Sequence, residues 1–305
     1  MGLPHAVTDA GDSDRVLGFL LPHRSARGRL VRIGAVLDEI LAAHAYPEPL
    51  ARLLAEALAL TALLGSVHRP DEGTVTLQAQ GEGGPVRLLV ADWREGRLRG
   101  YLEQDKSIDL PRTTALPALM GEGYLAITLD QLATADRWQG IVALEGRTLA
   151  ETAEGWFNQS DQLATLVRLA AAPGPDGRWH AGGLLLQQIA RKEVEAPRLH
   201  VEAETDDRRA QDWAHVATLS ASVSASELTD PRLSHEMLLW RLFHEEEVRV
   251  LPGQALARGC RCSIAHIEAV LGRFPPDELA AMRREEDGRI AVDCQFCSRQ
   301  FLLDI

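Results

Sequence analysis

Four cysteines are the residues of this chain best equipped for chemistry, and all of them fall within its last 46 residues: Cys260-Arg261-Cys262 and, after 31 intervening residues, Cys294-Gln295-Phe296-Cys297. Two closely spaced pairs of soft thiolates supply four ligands to one tetrahedral ion, a demand that Zn²⁺ meets. The same thiols are able to close as two disulfides instead, so the state of the cluster would report the oxidant level around it. Cysteine also serves as a small buried apolar residue, but the preceding 259 residues contain none, and such gathering points to a metal site. A purely structural disulfide framework belongs to secreted chains. Here Met1 to Arg15 is polar and acidic, and the first apolar run, Val16 to Leu21, spans six residues before Pro22. Neither a signal peptide nor a membrane span is therefore expected, and a reducing, cytoplasmic location is.

Other motifs fall short. The glycines at 81, 83 and 84 are not followed by Gly-Lys-Ser/Thr and lead into a strand, so they read as a hairpin turn with Pro85 and not as a phosphate loop. His235-Glu236 begins a zinc-protease helix motif, but Leu239 stands where its second histidine belongs. No Gly-x-Ser-x-Gly elbow occurs. A zinc deaminase is the enzymatic alternative, with His266, Cys294 and Cys297 as ligands and Glu268 as proton shuttle. Against it, Asp293 replaces the expected proline and Cys260 and Cys262 are left without a role. His266 and Glu268 read instead as an exposed helix turn beyond the first cysteine pair. A third alternative is a structural zinc ribbon for protein docking.

The net charge of −12 repels phosphate backbones, so nucleic acid is not an expected partner. A chain of 305 residues with 46% apolar content buries a substantial core in two or three units. Strands are expected at Arg15–Pro22, Gly28–Ile33, Thr74–Gln80, Val86–Ala91, Leu98–Leu102, Tyr124–Leu129, Gly140–Leu144, Leu163–Ala170 and Gly183–Gln188. Helices are expected at Ala35–Ala43, Pro49–Leu64 and from Thr148 to about Phe157, with the leucines at 50, 53, 54 and 58 forming one apolar stripe. This mixture makes an α+β core, residues 1–203. Residues 204–259 change texture: from Glu204 to Val250 there are ten acidic residues against five arginines, with a polar run at Ser220 to Ser226, which reads as a weakly packed helical connector. Within it, Leu238, Leu239, Leu242 and Phe243 share one helical face, followed by the acidic Glu245-Glu246-Glu247, the pattern of a docked amphipathic helix with a solvated end. The tail, 260–305, is too small to fold on apolar burial alone, and a metal is its expected staple.

Cys-x-Cys, about thirty residues and a terminal Cys-x-x-Cys resembles the thirty-three-kilodalton heat shock protein family of redox-regulated bacterial holdases. Three more segments agree: Leu239-Trp240-Arg241-Leu242-Phe243-His244-Glu245-Glu246-Glu247-Val248 before the cysteines, Phe157-Asn158-Gln159-Ser160-Asp161-Gln162 in the core, and Gly182-Gly183-Leu184-Leu185-Leu186-Gln187 at its closing strand. The departures are Asp161 in place of glutamate and Ser298 where many members have glycine after the last cysteine. If position 298 requires a positive φ, serine strains it and speeds zinc release. The resemblance implies a non-enzymatic chaperone with one Zn²⁺ per reduced chain on Cys260, Cys262, Cys294 and Cys297, inactive in that state. It implies that oxidation pairs Cys260 with Cys262 and Cys294 with Cys297, releases zinc, unfolds the connector and lets the protein bind unfolding clients and dimerise. Leu238, Leu239, Leu242 and Phe243, or the strand face near Leu184 to Leu186 beneath a cover, are then the candidate client surfaces.

Overall fold

The computed structural model describes residues 13–67, 73–131, 137–160, 163–189 and 206–304. The chain opens with the hairpin β1 (Arg15–Leu21) and β2 (Ala26–Ile33), then α1 (Ala35–Leu41) and α2 (Glu48–Gly65). A meander follows, β3 (Gly73–Gly83), β4 (Val86–Arg94) and β5 (Arg97–Gln104), then α3 (Leu116–Met120), β6 (Gly121–Gln131) and β7 (Arg137–Ala143). Helix α4 (Leu149–Ser160) leads to the hairpin β8 (Thr165–Pro173) and β9 (Trp179–Gln188). Beyond it come α5 (Asp206–Ala221), α6 (Ala225–Thr229), α7 (His235–Phe243) and the two-residue strands β10 (Arg249–Val250), β11 (Gln254–Ala255) and β12 (Ala257–Arg258). The tail holds α8 (Ile264–Leu271), α9 (Pro276–Met282), β13 (Ile290–Asp293) and β14 (Gln300–Leu303).

Two six-stranded sheets form the body of this α+β molecule. The first runs β10-β1-β2-β9-β8, with β11 also on β1, and the second runs β12-β5-β4-β3-β6-β7. Helix α2 lies between them and packs on strands of both. One apolar stripe would serve only one sheet. Leu54 and Leu58 lie against Gly100 of β5 in the second sheet and Leu63 lies against Gly183 of β9 in the first, while Ala51, Ala55, Ala57, Ala59 and Ala62 are buried around the same helix. The glycine-rich turn is shorter than the sequence suggests. Strand β3 continues through Gly83, pairing Gly81 with Gly123 and Gly83 with Gly121, so only Gly84-Pro85 turns the chain. Glycines facing glycines permit that extension.

The first sheet is apolar on both faces. Val16, Val31 and Leu185 point into the core around α2, while the alternating Leu17, Phe19, Leu21, Leu30, Leu184 and Leu186 form a second cluster under the connector helices. There Leu238, Leu239, Leu242 and Phe243 are all buried, and the Phe243 ring lies 5.6 Å from that of Phe19. The connector is thus better packed than its composition predicts. Helix α5 contributes a narrow stripe of Asp212, Val216 and Ser220, with Trp213 and Ala217 half-buried beside it. Gly182 is required beneath α6, since a Cβ there would come within 2.1 Å of the Leu228 carbonyl oxygen. Nor is the connector helical throughout: its last residues are extended and add β10 and β11 to the first sheet and β12, in parallel, to the second.

Candidate metal centre and its seat on the core

Strand β12 delivers Cys260 and Cys262 to the edge of β5, where Gly259 N–H donates to the Leu98 carbonyl at 2.8 Å. Ser263 then caps α8 by accepting from the His266 N–H. The second pair sits in the hairpin between β13 and β14. Its loop is closed by Cys297 N–H and Ser298 N–H donating to the Cys294 carbonyl at 3.3 and 2.8 Å, and by Cys294 N–H donating to the Arg299 carbonyl at 3.0 Å. Ser298 has φ +54°, the left-handed conformation that favours glycine, so the strain expected at this position is real.

The four sulfurs converge, all within 4.8 Å of one another, with Cys260–Cys262 at 3.3 Å and Cys260–Cys294 and Cys262–Cys297 at 3.5 Å. A tetrahedron with Zn–S lengths of about 2.3 Å has edges of about 3.8 Å, so four thiolates in this arrangement fit a zinc-sized ion. All four are half-buried. Burial opposes the Cys260 thiolate, yet hydrogen bonds from the Cys262 N–H and from the neighbouring thiols prevail and bring its pKa down to about 7. Burial, reinforced by hydrogen bonding to Cys260, pushes Cys262 the other way, and burial also raises Cys294. Cys260 therefore gives up its proton more readily than Cys262 or Cys294, and a cation would compensate the charge that accumulates as thiolates form.

His266 and Glu268 lie exposed on α8, outside the metal-binding group found among the described residues, which comprises the four cysteines alone. The deaminase ligand set is not assembled. Around the cysteines the tail has little core: Leu271, Ile290 and Leu303 are buried, Ile267, Leu279 and Val292 partly so, while Ile264 and Val270 face solvent.

The cluster is seated on the outer face of the second sheet. Arg261, between the first two cysteines, donates to Asp92 at 2.7 Å. Asp92, buried on β4, also binds Thr76 on β3 at 2.8 Å and Arg99 on β5 at 2.7 Å, both opposite it in register. Phe296, between the second two cysteines, lies under the Arg99 guanidinium at 3.8 Å and edge-on to Tyr101 at 4.9 Å. Ser298 reaches His44, which stacks on Tyr46. Both cysteine pairs therefore carry, as their intervening residue, a side chain that grips the core.

A family model described as Hsp33 protein matches residues 14–304. The chain belongs to the Hsp33 family. Curated relatives include the 33 kDa chaperonin of Caulobacter vibrioides strain NA1000 / CB15N, 43% identical over 301 residues, covering 95% of each chain. Another, from Pseudomonas fluorescens strain Pf0-1, is 37% identical over 298 residues, covering 98% of this chain and 93% of its own. The crystal structure of the Thermotoga maritima 33 kDa chaperonin shares the fold with a TM-score of 0.78 at 22% identity, over 95% of this chain and 94% of that one. Hsp33 is a chaperone family, and the cysteine cluster is its candidate metal and redox centre in this member. No helix among the described residues is long and apolar enough to cross a membrane.

Of the segments that carried the resemblance, Gly182–Gln187 lies in β9 and Leu239–Val248 covers it, whereas Asp161 and Gln162 lie outside the described residues. Sequence reasoning missed Asp92, Arg99, Arg24 and the roles of Arg261 and Phe296. The last two carried a signal, their position inside the cysteine pairs. Arg24 carried none: from the turn after β1 it binds Glu246 through two bonds of 3.0 Å and Asp212 at 2.6 Å, clamping both ends of the connector's helical stretch. Glu246, expected in the solvated acidic end, is in fact 8% exposed and also meets His215 at 2.8 Å.

Proposed function

We propose that this Hsp33 member is a redox-switched holdase whose client surface is the outer face of the first sheet together with the connector's own apolar face. What carries this reading is a continuity: the helices that bury Leu17, Phe19, Leu21, Leu184 and Leu186 run without a break through β10, β11 and β12 into Cys260. Whatever holds the cysteines also holds the last anchor of the cover.

In the reduced chain Cys260, Cys262, Cys294 and Cys297 hold one Zn²⁺. The ion supplies four cross-links and no reaction, about 10–16 kcal/mol of apparent binding energy in structural sites of this kind. One molecule of an oxidant such as hydrogen peroxide per thiolate pair takes two electrons and leaves as two hydroxides, so two molecules form the Cys294–Cys297 and Cys260–Cys262 disulfides. The disulfide sulfurs no longer bind the metal. The tail, with so few buried side chains, unfolds, and Arg261 and Phe296 leave Asp92 and Arg99. The connector, residues 204–259, then depends on its apolar contacts and the Arg24 clamp alone, and opens. Leu238, Leu239, Leu242 and Phe243 and the sheet beneath become available to unfolding proteins, while the acidic surface keeps the complex dispersed. The oxidised form pairs into a homodimer, as the family resemblance implies, and the protein works in the cytoplasm, where thiols rest reduced.

The test is light scattering from a thermally unfolding client with the protein added either reduced and zinc-loaded or after peroxide, zinc release being followed in the same sample. Suppression of aggregation by the oxidised form alone is the expected result. Equal suppression by both forms, or by neither, would reduce the cysteines to a structural staple.

A further inference from the structure

Seating the tail on the second sheet creates a cavity of about 200 Å³ lined by Asp92, Arg94, Glu95, Arg97, Arg99, Gly259 and Arg261. Four guanidinium groups there face two carboxylates, leaving two positive charges over, in a chain whose net charge is −12. The carboxylates are already engaged. Asp92 is shared by Thr76, Arg99 and Arg261, and Glu95 lies 3.6 Å from Arg94. Arg97 has no ion-pair partner among the described residues and is exposed at the rim. Packing enforces this crowding: the connector passes so close to β5 that a Cβ on Gly259 would sit 2.4 Å from the Arg97 Cβ, so glycine brings Arg261 alongside.

We infer that this cavity is a binding site for a phosphate-type oxyanion, built by Arg94, Arg97 and Arg99 of the β4–β5 hairpin and completed by Arg261 of the first cysteine pair. Planar guanidinium groups present paired N–H donors that match the oxygens of phosphate, and a tetrahedral anion neutralises the surplus charge. The same oxygens occur on inorganic pyrophosphate and on the terminal phosphates of a nucleoside diphosphate, and both present that chemistry to the arginines.

The test is isothermal titration of the reduced, zinc-loaded full chain with pyrophosphate and, separately, with ADP, at ionic strength held constant with chloride so that general screening is matched. Saturable binding at one site per chain is expected, weakened about tenfold or more by Arg97→Ala combined with Arg94→Ala and again by Arg261→Ala. Arg94 and Arg97 lie at the surface, so their variant should keep its zinc and its circular dichroism, and the comparison stays readable if Arg261→Ala loosens the tail. Binding of pyrophosphate alone assigns the site to the inorganic ion, and equal binding of ADP assigns it to terminal phosphates in general. Absence of saturable binding to either, or binding unchanged in the Arg94/Arg97 variant, would overturn the proposal. Client binding is not measured in this titration, so its outcome is independent of the redox switch.

Discussion

The two faces of the first sheet are built from the same strands and are equally dry, yet they are covered in different ways. On the inner face Leu185 and Val31 meet α2, a helix enclosed by a second sheet. On the outer face Leu184, Leu186 and Phe19 meet α5–α7, whose far sides are open to water. Apolar burial alone does not tell these faces apart, because each contact stabilises by the same area-dependent amount. Their supports differ. The inner cover is locked by topology, whereas the outer one is held at Arg24, along β1, and finally at a tail that carries the four cysteines and a small core of Leu271, Ile290 and Leu303. A surface can be both well packed and releasable when its cover is tied down at its end.

Removing the tie is the severest way to break the comparison. Chelation, or Cys294→Ser, should unfold residues 260–305 with loss of about 10 kcal/mol or more of coordination energy. Limited proteolysis should then cut the tail and connector while fragments containing α2 survive; simultaneous loss of α2 would mean the faces are not separable. Truncations inside each cover come next. Leu54→Ala and Leu239→Ala each delete a comparable buried side chain, at about 2–5 kcal/mol. The former should lower the global melting temperature, and the latter should chiefly speed hydrogen exchange in α5–α7.

Asp92→Ala leaves Arg99 and Arg261 without their shared carboxylate and should loosen the tail by about 2 kcal/mol, read as faster zinc release under a fixed peroxide dose. Acid acts on the other anchor. The Arg24 guanidinium holds the Glu246 carboxyl below its ordinary range, so the stabilisation is full above that range and disappears as pH falls through the depressed value. Exchange of the α5 and α7 amides should accelerate over that interval and be far less pH-dependent in Glu246→Gln. The smallest effect is at Ser298, where glycine removes about 1 kcal/mol of left-handed strain and should slow zinc loss. An unchanged off-rate would show that the turn, though left-handed, does not tune the metal.

The cysteine pairs were legible because metal ligation constrains residue type and spacing together, and no other part of the chain contains a cysteine. The strands and α2 were legible from their periodicity. What the periodicity of α2 hid was the second sheet, because alanine is compatible with either solvent or close packing. The connector was misjudged as weakly packed because its few apolar residues, Val216, Leu228, Leu238 and Phe243, are separated along the chain and add up only when three helices share one surface. Asp92 gave no signal, since an aspartate on an outer strand face usually meets water, whereas here it is buried where Thr76, Arg99 and Arg261 converge on it.

By itself, then, the sequence determined the four-cysteine cluster, the α+β class and the apolar face of the Leu238–Phe243 segment, all of them properties written in residue type and local spacing. Tertiary structure alone decided that Leu184 and Leu186 lie under that segment, that Arg24 clamps the connector through Asp212 and Glu246 while Asp92 holds the tail through Arg261, and that four arginines meet at one cavity. Those relations join residues as much as 222 positions apart, as in Arg24 to Glu246, and only the packing of helices and tail onto the sheets brings such residues within reach.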